Sequence, residues 1–150
     1  MSLESEVKLL RNIPLFAKID PSKLKLLAFT SDWVTYDAGQ QLCTQGEIGD
    51  AAYVIIEGVV EVLVDSPDGP VLVSTRGNNE IVGEIAIFCD VRRTATVQAR
   101  DKVVTLRISK ETFLQLVTSY PQVAVEIIRI LAVRLTDTTD ELSRAKSQQD

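Results

Sequence analysis

Apolar and polar positions change their period twice along this chain. Near the start, Val7, Leu10 and Ile13 recur at a helical spacing, and Pro14 interrupts the run. Leu15 and Phe16 follow that break and are expected to insert into the core. Asp20-Pro21 reads as a helix start, with Asp20 able to cap and Pro21 at the first helical position. Leu24, Leu27 and Ala28 then share one face, which predicts a helix over about 21–30. From Asp32 to Ile108 the pattern becomes short β-rich runs separated by glycine and turn residues, spaced as in a sandwich or barrel. The predicted strands are 32–36, 40–44, 52–57, 59–65, 70–76, 80–82, 93–99 and 102–108. Ser66-Pro67-Asp68-Gly69 reads as an exposed hairpin tip.

After Ile108 the helical period returns. Ser109 is placed to cap a helix with Thr112 to Val117 as its body, and Tyr120-Pro121 ends it and starts another, expected to run to about residue 145. The first half of this last helix is apolar almost all round: Val123, Ala124, Val125, Ile127, Ile128, Ile130, Leu131, Ala132, Val133 and Leu135. Such a helix needs cover on more than one face. One cover is the β core, and a second subunit is expected as the other. Ala124, Ile128, Leu131, Leu135, Thr138 and Leu142 step by four and three residues, the spacing of a coiled-coil seam. The polar end, 143–150, reads as a frayed tail or a cut linker.

Composition narrows the function classes. With 150 residues, 45% of them hydrophobic, the chain is expected to be one domain with a substantial core. A net charge of −5 gives no electrostatic footprint for nucleic acid or an acidic membrane surface. The first 30 residues are interrupted by charges from Glu4 to Lys25, so neither a signal peptide nor a membrane span is expected, and the chain is expected to be cytoplasmic. Cys43 and Cys89 read as reduced structural thiols. Histidine is absent, which excludes a histidine-ligated metal or haem and a Ser-His catalytic pair.

The densest chemistry lies in Ile81-Val82-Gly83-Glu84-Ile85-Ala86-Ile87-Phe88, followed after four residues by Arg93-Thr94-Ala95-Thr96-Val97. Gly83 permits close backbone approach. If Glu84 to Phe88 turns helical, its first amides are unpaired donors suited to an anion, and Arg93 can add a permanent cation with a planar fork of donors. Glu84 would accept from neutral hydroxyls. Each residue also has a plainer reading. Gly83 can be a turn glycine, Glu84 a helix-end carboxylate stabilised by the dipole, Arg93 a surface arginine opening a strand, and Thr94 an ordinary β-branched strand residue. Arg92 and Arg93, adjacent on a strand, would point to opposite faces, so only one can enter a pocket.

This stretch resembles the phosphate-binding cassette of the cyclic-nucleotide-binding domain family, shared by catabolite-activator-type regulators, protein kinase A regulatory subunits and cyclic-nucleotide-gated channels. The likeness extends upstream through Gly39, Gly46, Glu47, Gly49-Asp50, Tyr53-Val54-Ile55 and Gly58 to Val62, and covers roughly residues 9–135. It implies a mainly β fold, an antiparallel β-roll over about 32–108 with N-terminal helices and a long C-terminal helix over about 121–145. The resemblance also implies that Arg93 is the inward arginine and binds the phosphate with the amides of Ile85 and Ala86, while Glu84 accepts the ribose 2'-hydroxyl beside Gly83. Thr94, next to Ala95, is similar to the threonine that reaches the guanine amino group. Thr138 and Thr139 fall where activator-type members carry a Thr-Ser pair that contacts adenine, although the helix simply becoming solvated there is the alternative.

The expected function is therefore a non-enzymatic sensor of a 3',5'-cyclic nucleotide, cyclic AMP favoured and cyclic GMP possible, with no other cofactor and no metal. Its last helix would serve as lid and homodimer seam, with a C-terminal output domain outside this sequence as a possible partner. The rivals are a β-roll interaction domain that binds no nucleotide, and the sensor fragment of a transcription factor, channel or transporter. Direct contact with nucleic acid or membrane by this chain is not expected.

Overall fold

The structure, a computed structural model, describes residues 2–149, with side chains in the last helix described through Thr139 and at Ser143. Helix α1 spans Leu3–Arg11 and is capped by Ser2, whose side chain accepts from the Ser5 amide. A 3-10 turn at Pro14–Phe16 leads to α2, Pro21–Thr30. Proline begins both segments, where its missing N–H costs nothing. The Asp20 side chain makes no capping bond, contrary to expectation; its carbonyl instead receives the amides of Lys23 and Leu24, each at 3.0 Å.

Eight strands follow: β1 Asp32–Tyr36, β2 Gln41–Cys43, β3 Ala51–Glu57, β4 Val60–Val64, β5 Val71–Arg76, β6 Ile81–Val82, β7 Thr96–Ala99 and β8 Val103–Ser109. Between β6 and β7 lies the short helix α3, Glu84–Phe88. All pairings are antiparallel, in two sheets ordered β1-β8-β3-β6 and β2-β7-β4-β5. This is the β-roll with flanking helices. The Ser66–Gly69 tip between β4 and β5 closes on reciprocal backbone bonds of 3.1 and 3.0 Å. Strand β7 begins three residues later than the expected 93, because the backbone of residues 92–93 is tied to the Gly46–Ile48 loop and is not yet in the β7 ladder.

Strand β3 is buried on both faces from Ala51 to Ile55, and its alternation separates two cores. Ala52 and Val54 face the helices, with Leu10, Ile13, Phe16, Leu24, Leu106, Ile108 and Phe113. Tyr53 and Ile55 face the interior of the roll, with Leu42, Val60, Val82, Val97, Ala99 and Val103. The helices therefore cover one face of this sheet, while valine, alanine and leucine fill the roll interior around Tyr53 and Ile55.

Helix α4, Lys110–Ser119, is capped by Ser109, whose hydroxyl accepts from the Thr112 amide at 3.3 Å. Helix α5 runs from Pro121 to Gln149, longer than expected. Val123 and Ile127 are fully covered by the helical core, and Leu131 packs at its edge. Within the chain one side of the apolar first half is covered, and the faces for which a second subunit is the expected cover stay exposed. Val125, Ile128, Val133 and Leu135 are 54, 65, 54 and 68% exposed. The Leu142 position of the expected seam lies outside the described side chains.

Phe16 is completely buried where the N-terminal turn meets α5 and the β3 face. Phe16→Ala should lower unfolding free energy by about 3–5 kcal/mol, the usual cost of an aromatic-to-alanine cavity, measured by urea denaturation.

Candidate functional site

Strand β6 ends at Gly83, whose φ of 84° is left-handed, and this turn starts α3 directly over the mouth of the roll interior. A Cβ at Gly83 would sit 2.6 Å from Arg93 Nη1, so a side chain here would displace the guanidinium as well as strain the backbone. Gly49 is needed for a different reason. A Cβ there would collide with Ala86 Cβ, and its absence lets α3 settle against the loop before β3. Glu84, Ala86 and Ile87 are buried, while Ile85 is 42% exposed. Among the described residues, nothing accepts from the amides of Ile85 and Ala86. These are the orphan donors of a helix start.

Arg93 is 4% exposed. Its backbone is clamped to the neighbouring loop, the amide donating to Glu47 O at 2.7 Å and the carbonyl accepting from Gly46 at 2.9 Å. This clamp, and not strand pleating, turns the side chain inward. Nη1 donates to Gly83 O at 2.9 Å and Nη2 to Ala51 O at 2.7 Å, with the guanidinium 5.9 Å from the centre of the Tyr53 ring. The Asp50 carboxylate lies 3.7 Å away, is largely exposed, and is shared with Arg107 at 3.0 Å. The buried cation is thus held by neutral carbonyls and only loosely neutralised. Arg92 is exposed and donates to Gly46 O at 3.0 Å.

Glu84 is the complementary group. It is 2% exposed, and its Oε1 accepts from Arg134 Nη1 at 2.9 Å; Arg134 Nη2 donates to Ile81 O, also at 2.9 Å. One side chain of α5 therefore spans both the end of β6 and the start of α3.

These groups line one cavity of about 90 Å³, with Cys43, Val62, Arg76, Val82, Gly83, Glu84, Ile85, Ala86, Arg93, Thr94, Ala95, Val97 and Arg134 in its wall. Burial pushes the Cys43 thiol up, which keeps it protonated and unreactive at neutral pH. The sequence-predicted residues Gly83, Glu84, Ile85, Ala86, Arg93, Thr94 and Ala95 come together here. Thr138 and Thr139 do not. Both are exposed, neither lines the cavity, and their hydroxyls donate back along the helix to Arg134 O and Leu135 O at 2.9 Å each. The helix has already left the roll at that point. Among the described residues, no three potential metal ligands gather, and no single helix is long and apolar enough to cross a membrane.

The model of the cyclic nucleotide-binding domain matches residues 33–120, which include both sheets and α3. The chain belongs to the cyclic nucleotide-binding domain family. The solved sensor domain of the transcriptional regulator DNR from Pseudomonas aeruginosa is 27% identical and superposes with a TM-score of 0.78 over 93% of this chain and 94% of that one. A CRP-like cAMP-activated global transcriptional regulator from Mycobacterium tuberculosis is 26% identical over 91% of this chain and 61% of its own length. The lysophospholipase nte1 of Neurospora crassa is 27% identical over 83% of this chain. There the matched region is 8% of the relative's length.

Two residues of this cyclic nucleotide-binding domain escaped the reading of the sequence. Arg134 follows Val123, Ile127 and Leu131 on the core-facing side of α5, and an arginine in that register was the available signal that it reaches inward. Arg76 shares the inner face of β5 with Ser74, opposite buried Val60, and its position followed only from the strand register.

The Glu84–Arg134 pair is open to direct measurement. Arg134→Met should destabilise the fold by about 1–3 kcal/mol in urea, below the roughly 3–5 of a fully buried pair because Arg134 retains 20% side-chain exposure. Adding Glu84→Gln should recover part of that loss. A double-mutant cycle with no coupling would mean the contact contributes nothing.

Proposed function

We propose that this chain is a regulatory sensor module that binds a 3',5'-cyclic nucleotide monophosphate at the α3 cavity and couples occupancy to the position of α5. The observation that carries the reading is a buried, loosely neutralised arginine facing free helix-start amides, with a buried carboxylate one helical residue away. The phosphate diester fits Arg93 and the Ile85 and Ala86 amides, which supply charge-assisted and dipolar donors. Glu84 then accepts from the ribose 2'-hydroxyl with the oxygen lobe that Arg134 leaves free, beside the Gly83 backbone.

The coupling to α5 rests on space and charge. A cavity of about 90 Å³ is well under the roughly 300–1,000 Å³ of pockets that enclose small ligands. The side chain best able to yield is Arg134, since it comes from a helix whose outer turns are solvated. Moving it releases Glu84 and Ile81 O together, and a ligand that binds better to the released state shifts the population of α5 positions. Exposed Ile128 and Leu135 on α5 support a homodimer through this helix. The name of the mycobacterial relative supports cyclic AMP as one ligand to test and an output domain beyond this module as its context. The module is taken to be non-catalytic and cytoplasmic, with no direct contact to nucleic acid or membrane.

Calorimetry with cyclic AMP and cyclic GMP tests this reading. Arg93→Ala should weaken binding about a hundredfold or more, since a phosphate would lose the guanidinium beside the Ile85 and Ala86 amides, with binding compared at a temperature where circular dichroism shows the variant folded. Binding within threefold of the parent would remove Arg93 from the site. A 2'-deoxy cyclic nucleotide should bind more weakly than its ribo form, and Glu84→Ala should abolish the difference. Silence of the parent with every nucleotide at high micromolar concentration would favour the β-roll interaction domain.

A further inference from the structure

Helices α2 and α4 face one another across a groove of about 650 Å³ that shares no wall residue with the α3 cavity. Each helix lends it one continuous face. Lys23, Leu26, Leu27 and Thr30 of α2 and Thr112, Gln115, Leu116 and Ser119 of α4 both recur at i, i+3, i+4 and i+7. Tyr120, the last residue before α5, completes the wall. Seven residues of helix span about 10 Å, so the groove follows two turns of each helix. Leu27 and Leu116 belong to the helical core and form its floor. Leu26 at the rim is 55% exposed, and Phe29, three residues on, is 80% exposed. Large apolar side chains uncovered together beside a groove mark a surface that binds another molecule.

Charge decides which kind. The wall holds one cation, Lys23, and no carboxylate, and among the described residues Lys23 makes no ion pair. Helix α2 carries Lys23 and Lys25 and no acidic residue. Across residues 7–30, Lys8, Arg11, Lys18, Lys23 and Lys25 stand against Asp20 alone, in a chain whose net charge is −5. We infer that the α2–α4 groove is a docking site for an acidic amphipathic helix of a partner protein. A third helix laid along the groove sets an apolar stripe on Leu26, Leu27 and Leu116, takes Phe29 out of water at the rim, and turns carboxylates toward Lys23 and Lys25. A second copy presenting this same face would bring like charges together. A lipid surface is too flat to reach the floor between the two helices.

Fluorescence anisotropy on the full chain tests this with two labelled peptides of about 18 residues, long enough to be helical. Both carry leucines at i, i+3, i+4 and i+7 with alanine elsewhere, and the stripe is flanked by glutamates in one and by lysines in the other. The parent should bind the glutamate peptide about tenfold more tightly, with the gap narrowing as salt rises. Lys23→Glu should weaken the glutamate peptide about tenfold and move the preference toward the lysine peptide, a reversal that loss of fold does not produce. Leu26→Asp should weaken the glutamate peptide to a similar degree, with circular dichroism melting confirming that each variant is folded. Equal binding of the two peptides by the parent, no binding of the glutamate peptide at high micromolar concentration, or unchanged affinity in Leu26→Asp would overturn the inference. A parent dimer that Leu26→Asp splits in sedimentation would give the face to a second copy. Binding to anionic lipid vesicles that Phe29→Ala abolishes would give it to a membrane, and either result also overturns the inference.

Discussion

Burying the Glu84 carboxylate at the start of α3 is tolerable only with a counterion, and the chain draws that counterion from a helix fifty residues further on. A carboxylate 3% exposed, facing valines and alanine, would otherwise carry a desolvation cost of several kcal/mol. Arg134 meets it at 2.9 Å and binds Ile81 O with its other nitrogen, so the end of β6, the start of α3 and the middle of α5 share one guanidinium. Within the described residues, this is where the last helix is tied to the wall of the cavity by charge. Its remaining attachment is apolar, through Val123, Ile127 and the edge of Leu131. Under the proposed function, a group that competes for Glu84 acts on the placement of α5 with no need for a chain of intermediates.

The same economy governs Arg93. Its guanidinium is fixed by two carbonyl oxygens and stacked near Tyr53, whose own hydroxyl is held by Leu42 O at 3.0 Å. Such an arginine is oriented before any anion arrives, and preorganised donors lose little entropy on binding. Glycine at 83 is part of the same device, since any side chain there would press on Nη1.

Much of this was legible in the sequence because local chemistry set it. The strands from β1 to β8 fall within a residue or two of the expected runs except at β7, and Pro14, Pro21, Ser109 and Pro121 mark their helix boundaries as proline and cap chemistry require. The gathering of Gly83 to Ala86 and Arg93 to Ala95 at one cavity was legible as well, from residue types at fixed spacing. What escaped depends on distant partners. Residues 92–93 look like the start of a strand until the loop at Gly46–Ile48 claims their backbone groups. Arg134 and Arg76 acquire meaning only when α5 and β5 are laid beside α3. Thr138 and Thr139 lie on a polar turn of α5 that stands away from the roll, a placement that periodicity within a helix does not encode. The exposed Ile128 and Leu135 fit the seam spacing and still need a partner surface.

The central claim is that filling the cavity displaces Arg134 and with it α5. Double electron-electron resonance reads this directly, with spin labels at Asp68→Cys on the β4–β5 tip and Thr136→Cys on α5, in a background carrying Cys43→Ala and Cys89→Ser. Saturating cyclic nucleotide should shift the distance distribution, and Arg134→Met should broaden or shift it without ligand. A nucleotide that binds by calorimetry yet leaves the distribution unchanged would contradict the account.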